Sequence, residues 1–458
     1  MTSGVVGSNP YTVSEAASHG RSFLRLGRFG RNIFSNAGGS AIHSVVQLGL
    51  LFVLIRILDD ARYAAFLLAT FVVGLLEMAS DFGTRIWATR RFSFVNSARF
   101  VLRRSVICKL IFTVVSSAIF ALVPSNSLDH VSFLLCVLIA STQPSTDPFL
   151  WLLRGRERLD IEAGVVLACR ISVAAGMLVA AISGFGLHAL LLIWLVGNVV
   201  RIVAESQLDV VRSSLNADDQ SAAVTDERLV QTMGYVIPIG AAFVLTCLFQ
   251  RATVFLLDVF STPQDVKYYG TAFKLVSTSG FVATSIFVSS FAALSRAIEA
   301  DDSHEIRRVV RRKFMLVTAV FLPICVAGIL LAPRLLPAFE LAALKPISET
   351  MVLLMPGLYL SCVNMGLKYT LNAFELNWQD FTAVVVGLAV LSAVTVGRGT
   401  LTWPQAAAFG WCAGEATLLL IRVVVLRTSG GLRGVPIGVI SAATATLVVM
   451  MCFGLTTV

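Results

Sequence analysis

Long runs of apolar residues, separated by short polar segments, repeat along the whole chain. Each run has about the 20 residues that an α-helix needs to cross the hydrocarbon core of a bilayer. In the first half the predicted spans are 36–57, 64–84, 105–123, 131–153, 163–183 and 187–207. In the second half they are 233–258, 268–294, 314–332, 348–371, 381–397, 404–426 and 435–455. The pattern therefore predicts an all-α polytopic membrane protein, in which the last span has no counterpart in the first half.

The amino-acid composition excludes a soluble protein. Of the 458 residues, 56% are hydrophobic and 14% are charged, whereas soluble domains carry about 45–50% apolar and about 25% charged residues. The segments between the spans are too short for a folded domain. They contain no phosphate-binding glycine loop and no cluster with metal-ligand spacing. We therefore expect a membrane protein that is not an enzyme and that needs no metal or other cofactor.

Basic residues lie mainly in every second segment between the spans. With the N-terminus inside, the outer segments hold only Arg62, Lys267, Arg334, Lys345 and Arg398. Cytoplasmic segments of membrane proteins are enriched in Lys and Arg, so the pattern predicts a cytoplasmic N-terminus. The same enrichment explains the net charge of +9 without nucleic-acid binding. The polar N-terminal residues have no apolar region of their own, so we expect no cleavable signal peptide.

A short motif recurs at matching positions in the two halves. Asp60-Ala61-Arg62-Tyr63 lies between the first two spans, and Asp265-Val266-Lys267-Tyr268 lies between spans seven and eight. Both motifs lie on the predicted outer side, so a repeat would be parallel, about an axis along the membrane normal. The predicted organisation is a cytoplasmic arm 1–35, a six-helix bundle 36–208, a cytoplasmic linker 209–232, a second six-helix bundle 233–426 and an extra C-terminal helix at 427–458.

Basic residues deep within the spans indicate a polar cavity. A charge inside a bilayer is costly and usually faces a cavity or a partner. Lys274 forms a polar helix face with Thr278, Ser285 and Ser289. Arg251 lies beside a polar face of span seven, and we interpret both cations as cavity residues, with Arg56 and Arg170 as further candidates. The serines and threonines are equally compatible with helix–helix hydrogen bonding. Four cations near inner span ends are expected to reach the interface instead: Lys109, Arg201, Lys368 and Arg422.

Two acidic residues within the spans are candidates for ion coupling. Glu415 lies near the middle of span twelve. Asp147 lies between Pro144 and Pro148, and because prolines interrupt helical hydrogen bonding, we expect a break in span four. Either carboxylate could bind a coupling proton or cation. The alternative, which we favour for both, is a structural pair with a cavity arginine.

Four short motifs mark the ends of spans. They are the turn 58–64, Asp81-Phe82-Gly83 after span two, Tyr235-Val236-Ile237-Pro238 in span seven, and 266–272 at the start of span eight. Together with the order of the spans, they resemble the bacterial polysaccharide flippases of the Wzx type. These belong to the multidrug/oligosaccharidyl-lipid/polysaccharide (MOP) exporter superfamily. The resemblance covers most of residues 30–426.

This resemblance implies a MATE-like fold of two six-helix bundles around a cavity, in the bacterial inner membrane. Similar proteins move undecaprenyl-pyrophosphate-linked oligosaccharides to the outer leaflet by alternating access, for O-antigen, capsule or exopolysaccharide synthesis. Cavity cations of such proteins meet the pyrophosphate, and the matching positions here are Arg56, Arg251 and Lys274. The implied partners are the lipid-linked glycan, membrane lipids and, as a further option, polysaccharide polymerase and assembly proteins.

Three alternative functions remain open at the level of sequence. A drug or cation antiporter of the same superfamily would need a deep acidic site, whereas the candidates here are mainly basic. A lipid II flippase of the related peptidoglycan group would be expected to have fourteen spans. A membrane scaffold that does not transport would tolerate neutralisation of Arg251 and Lys274.

Overall fold

A computed structural model gives the architecture of the chain. It describes residues 42, 45–82, 84, 88, 99–121, 125–155, 159–208, 211–212, 229–280, 282–284, 286–287, 294, 297–298, 300–335, 344–374, 376–429 and 435–456. The predicted arm 1–35 and most of the predicted linker 209–232 lie outside these residues, as do Ser285 and Ser289.

The described residues form helices and no strands. The helices are α1 Val45–Ile57, α2 Asp60–Asp81, α3 Arg99–Phe120, α4 His130–Gly155, α5 Leu159–Ile182, α6 Leu187–Ser206, α7 Leu229–Phe260, α8 Pro263–Thr278, α9 Ser303–Leu335, α10 Leu344–Ala373, α11 Asn377–Val396, α12 Trp403–Thr428 and α13 Ile437–Thr456. Every predicted span overlaps one of them. In the described part of the chain, 8 helices are long and apolar enough to cross a membrane. The prediction of an all-α, multi-pass membrane protein is confirmed.

Capping residues explain where α2 and α8 begin. The Asp59 side chain accepts a hydrogen bond of 2.7 Å from the backbone N–H of Arg62 at the start of α2. Thr262 and Asp265 form a reciprocal capping box at the start of α8, with Pro263 in its first turn. Such caps satisfy N–H groups that have no partner within the helix. Both repeated motifs therefore lie in the first turns of helices.

Span four is not broken, contrary to the expectation drawn from its two prolines. Helix α4 continues through Pro144 and Pro148. Membrane helices tolerate proline where neighbouring groups provide hydrogen-bond partners for the freed backbone.

Helices α2 and α10 are central, whereas α5 is peripheral. Within their most apolar segments, 78% of the α2 residues and 83% of the α10 residues are buried, against 17% for α5. Helices α2 to α6 pack chiefly among themselves, and so do α7 to α13. The main packing between the two groups, which we call the N-half and the C-half, is α2 against α7 and α8.

One contact between the halves joins the start of α2 to the start of α8. Lys267 Nζ lies 2.7 Å from Asp60 Oδ1, and the Tyr63 hydroxyl lies 3.0 Å from Thr271 Oγ1. Further along, a Cβ added to Gly270 would lie 2.4 Å from Leu67 Cδ2. The absence of a side chain at Gly270 thus permits the two helices to approach each other.

A second contact joins the end of α7 to the segment between α3 and α4. The carboxylate of Asp258 accepts hydrogen bonds from Ser125 Oγ at 2.8 Å, from the Asn126 backbone N–H at 3.1 Å and from Ser127 Oγ. Asn126 Nδ2 also donates to the backbone carbonyls of Asp258 and Val259. In the predicted orientation this contact, like the Asp60–Lys267 pair, closes the outer side of the interface.

Candidate functional site

Two of the predicted cavity cations meet at the same face of α2. Lys274 Nζ on α8 lies 5.5 Å from the ring centroid of Phe71. The Arg251 guanidinium on α7 lies over Gly74, where an added Cβ would be 3.2 Å from Nη2 and 3.7 Å from Nε. Phe71 and Gly74 are three residues apart and therefore neighbours on one helix face. The structure thus brings Arg251 and Lys274 together at the interface between the halves.

The local sequence of α7 and α2 holds the Arg251 side chain in this position. Arg251 Nη1 donates a hydrogen bond of 3.3 Å to the carbonyl of Cys247, one turn earlier in α7. Gly74 supplies no side chain that would compete for the space. One polar contact and one missing side chain therefore direct the guanidinium along the surface of α2, and among the described residues no other hydrogen bond uses its N–H groups.

Glu77 connects these cations to Arg170 of the N-half. Glu77 follows Gly74 by three residues on α2, and it acts electrostatically on Lys274. It also acts on Arg170, which is in range of Asp147 and Arg201 as well. Arg170 itself is exposed. Glu77 thus lies within electrostatic range of one cation from each half, Lys274 and Arg170.

Arg56 stands apart from this group. It lies in the last turn of α1 and is exposed. In the part of the chain that the structure describes, no hydrogen bond or ion pair joins it to Arg170, Arg251 or Lys274. The structure therefore places Arg56 in a different position, and its assignment to the same cavity stays a prediction.

Lys368 is held against α7 within the C-half, although sequence reasoning assigned it to the membrane surface. Its Nζ donates a hydrogen bond of 3.1 Å to Thr246 Oγ1 and lies 5.1 Å from the ring centroid of Phe243. Both partners belong to α7, and Cys247, next to Thr246, lies within electrostatic range of both Lys368 and Arg251. The expectation that Lys368 extends to the membrane surface is therefore wrong, because its ammonium group is held against α7.

Three other cations form ion pairs inside one half. Lys109 is buried and pairs with Asp147. Arg201 Nε lies 2.7 Å from Glu205 Oε1, and Arg422 Nε lies 2.8 Å from Asp380 Oδ1. Both partners in each of the last two pairs are almost fully buried. The expectation that Lys109, Arg201 and Arg422 reach the interface is wrong, because each is neutralised by a carboxylate within the protein.

The two candidate coupling acids have different surroundings. Asp147 has a structural partner, but that partner is Lys109 and not the cavity arginine that we expected, and Asp147 keeps 26% of its side chain exposed. Glu415 is buried in the C-half, where its Oε2 accepts a hydrogen bond of 2.7 Å from Asn364 Nδ2. Arg422 donates to the Asn364 carbonyl at 3.0 Å. Glu415 therefore belongs to a buried network with Arg422 and Asp380, and a coupling role for either acid stays a prediction.

The cations inside the protein thus fall into two classes. Lys109, Arg201 and Arg422 are buried and have a carboxylate within 4.0 Å. Within the described residues, Arg251, Lys274 and Lys368 have no such carboxylate, and each is only partly buried. Because unpaired cations are costly inside a membrane protein, the second class is a chemically reasonable site for an anionic ligand.

Comparison with solved structures identifies proteins that have a similar fold. No protein-family model matches the chain, and no curated protein sequence matches it. Among solved structures, it is similar to the eukaryotic MATE transporter AtDTX14, with a TM-score of 0.63 and 8% sequence identity over 92% of this chain and 99% of that chain. It is similar to the lipid II flippase MurJ in an inward closed conformation, with a TM-score of 0.62 and 11% identity over 91% of both chains.

A third similar structure is a point mutant of the MATE transporter VcmN from Vibrio cholerae. Its TM-score is 0.57 and its identity is 13%, over 88% of this chain and 97% of that chain. The three similarities cover nearly the full length of each protein, so they describe the whole architecture rather than one bundle. The chain is therefore an all-helical, multi-pass membrane protein with the fold that MATE transporters and MurJ share.

Proposed function

We propose that this protein is a flippase that moves an undecaprenyl-pyrophosphate-linked oligosaccharide across the bacterial inner membrane for polysaccharide synthesis. The observation that carries the proposal is the group of partly accessible cations at the interface between the halves, Arg251 and Lys274 above all. A diphosphate in a low-dielectric site needs cationic partners, and arginine can bind it through two hydrogen bonds at once. A lipid-linked diphosphate is therefore the ligand class that this interface fits best.

The position of the cations suits an alternating-access mechanism. They lie where the N-half and the C-half meet, so a movement of one half against the other changes their access to either side. The fold supports such a mechanism, since similar structures are transporters and one of them is a lipid II flippase. Sugars would contact polar and aromatic side chains at the interface, and the polyprenyl tail would remain in the lipid.

The membrane potential favours this direction of transport. Moving one charge through 100 mV corresponds to about 2.3 kcal/mol, and the cytoplasm is the negative side. Outward movement of an anionic headgroup is therefore downhill. In this proposal the chain lies in the inner membrane with its N-terminus in the cytoplasm, its partners are the glycan lipid and membrane lipids, and polymerase or assembly proteins would act on the product.

A drug or cation antiporter of the MATE type is the second candidate. Its support is the fold, which is shared with MATE transporters, and the presence of Glu77 and Asp81 on the same face of α2 as the cation contacts. Against it, Arg251 and Lys274 at the interface would repel a cationic substrate. The electrostatic character of the site therefore favours the anionic ligand.

Complementation of a polysaccharide strain that lacks its flippase tests the proposal. The strain is supplied with the native glycan pathway of this protein, and wild type, Arg251→Ala and Lys274→Ala are compared at matched protein levels. Lys313→Ala serves as a matched control, since Lys313 lies on α9 and contacts the carbonyl of Ile286 rather than α2. We expect wild type and the control to restore polymer and the two site variants to lose most of it.

Other results would assign a different function. If all four proteins restore polymer equally, the protein is a flippase but Arg251 and Lys274 are not its binding site. If wild type does not restore polymer but makes the cells more resistant to cationic drugs, the antiporter is favoured. If wild type neither restores polymer nor changes drug resistance, a scaffold is favoured.

A further inference from the structure

We propose that the arginine-rich start of α9 is a binding surface for an anionic phospholipid of the surrounding bilayer. Helix α9 has 33 residues and is therefore about 50 Å long, whereas the hydrocarbon core is about 30 Å thick. The predicted apolar span begins at residue 314, so the first turns of α9, residues 303–313, lie at the level of the lipid headgroups. In the predicted orientation they face the cytoplasmic leaflet. This binding is independent of the transported substrate.

One face of these turns carries four exposed cations, and all of them are arginines. Ile306 and Val310 lie on the opposite face and are buried against the C-half, so packing determines which way the helix turns. Lys313 points inward, with its Nζ 3.5 Å from the carbonyl of Ile286. The cations that face outward are Arg307, Arg308, Arg311 and Arg312.

The protein neutralises only part of this charge. Glu305 Oε2 lies 2.8 Å from Arg308 Nη2. Within the part of the chain that the structure describes, no carboxylate lies within 4.0 Å of the other three arginines. Asp302 caps the helix instead, because its Oδ1 accepts hydrogen bonds of 3.0 Å from two backbone N–H groups of the first turn. The surface therefore keeps a net positive charge at the depth where the bilayer has its phosphates.

The same helix face continues into apolar side chains that are exposed to lipid. Met315 and Leu316 follow Arg311 and Arg312 by four residues each, so they are the next side chains along this face. They are 43% and 45% exposed. A phospholipid has the same order of groups, a phosphate followed by acyl chains.

The choice of arginine also favours a phosphate ligand. Lysine and arginine serve equally to orient a membrane protein, because that effect depends on charge. A guanidinium group can in addition bind a phosphate through two parallel hydrogen bonds. Four exposed arginines, with the lysine of the segment turned inward, therefore fit a bound anionic headgroup better than they fit an effect of charge alone.

Lipid binding to the purified full-length protein tests this surface. Phosphatidylglycerol or phosphatidylcholine is titrated into the protein in detergent, and native mass spectrometry gives the affinity of the first bound lipid. Arg311→Gln with Arg312→Gln should weaken phosphatidylglycerol binding at least about tenfold, because each arginine near an anionic surface contributes a factor of about five. Binding of phosphatidylcholine, which has no net charge, should change by less than about twofold.

A second double variant controls for total charge. Arg212 and Arg427 are exposed on other segments that are predicted to face the cytoplasm, so Arg212→Gln with Arg427→Gln removes the same charge elsewhere. We expect it to bind phosphatidylglycerol like wild type. The proposal is wrong if both double variants lose the same affinity, if neither loses any, or if wild type does not prefer phosphatidylglycerol to phosphatidylcholine.

The unfolding temperature separates a lost lipid site from a damaged fold. Without added lipid, both double variants should unfold at the wild-type temperature, because the replaced side chains are exposed. Phosphatidylglycerol should raise this temperature for wild type and the control, since a ligand that binds the native state stabilises it, but not for Arg311→Gln with Arg312→Gln. Should that variant unfold early without lipid, Arg307→Gln with Arg311→Gln tests the same face.

Discussion

Lys267 Nζ lies 2.7 Å from Asp60 Oδ1, so the cation of one repeated motif is paired with the acid of the other. The two residues begin neighbouring helices in different halves and are 207 positions apart. Lys267 is nearly buried, whereas Asp60 keeps 50% of its side chain exposed. The pair therefore joins the halves at a point where water has access and where separation is not prohibitively costly.

Breaking this pair should favour the state that is open to the outside. Lys267→Gln removes an attraction present only while the outer side is closed, and a partly exposed pair contributes about 1 kcal/mol or less. We expect a shift of up to about fivefold in the conformational equilibrium, measured by the reactivity of an introduced cysteine at the interface. The exchange Asp60→Lys with Lys267→Asp should restore most of the closed state. A swap that behaves like the single variant would contradict the assigned role.

The contacts of Asp258 should stabilise the closed outer side more strongly than the Asp60–Lys267 pair does. Its carboxylate accepts three hydrogen bonds from residues 125–127, and each bond to a charged group is worth about 1.5–3 kcal/mol. Asp258→Ala should therefore increase outward exposure more than Lys267→Gln does. A disulfide between cysteines at 126 and 259, in a chain without its own cysteines, should stop transport and reverse on reduction. Unaffected transport in the cross-linked protein would show that these segments do not separate.

Gly74 should be required for the Arg251 position. A Cβ at this residue would lie 3.2 Å from Arg251 Nη2, so Gly74→Val should displace the guanidinium and reduce transport about as strongly as Arg251→Ala. Gly164→Val in α5 is the matched control, because no atom lies within 4 Å of a Cβ there. Both variants carry a valine inside a helix. Loss of transport in both would therefore indicate that valine disturbs the helix, rather than that the Arg251 contact is lost.

The buried pair of Arg422 and Asp380 should matter for stability rather than for the ligand. Removing one partner of a buried ion pair costs about 3–5 kcal/mol, because the other charge is left uncompensated. Arg422→Met should therefore lower the unfolding temperature markedly in detergent. Replacing both partners, as Arg422→Met with Asp380→Leu, should recover much of the loss. A double variant less stable than either single variant would mean that the pair supports the network of Asn364 and Glu415 as well.

The sequence predicted the helices far better than the neighbours of their charged residues. Apolar runs of sufficient length locate the spans because each span must satisfy its backbone internally and expose apolar side chains to lipid. Depth within a span identified Arg251 and Lys274 as unusual. The same criterion misassigned Lys368 and Arg422, which lie nearer the ends of their spans, because depth does not reveal which side of a helix faces a partner.

Contacts between distant segments account for these errors. Arg422 is neutralised by Asp380, 42 residues away, and Lys368 meets Thr246, 122 residues away. Neither separation corresponds to a helical repeat, so no local pattern indicates the pairing. A polar residue on the facing helix, such as Thr246 on α7, was the only available signal for Lys368, and it could not be matched to Lys368 without knowledge of the packing.

Ion coupling should depend on Glu415 if the buried network of the C-half takes part in transport. Glu415 accepts hydrogen bonds from Asn364, so Glu415→Gln keeps the size of the side chain and removes its charge. If a proton or cation bound there resets the empty carrier, Glu415→Gln should transport without responding to an imposed pH or sodium gradient. The measurement is probe flipping in proteoliposomes with and without each gradient.

Asp147→Asn provides the comparison for that experiment. Asp147 pairs with buried Lys109, so its neutralisation removes a carboxylate partner of a buried cation and should lower the stability of the protein. Any response of transport to the gradients should remain in the protein that still folds. Transport by wild type that ignores both gradients would assign the driving force to the membrane potential. A double variant Glu415→Gln with Asp147→Asn that keeps the full gradient response would exclude both acids from coupling.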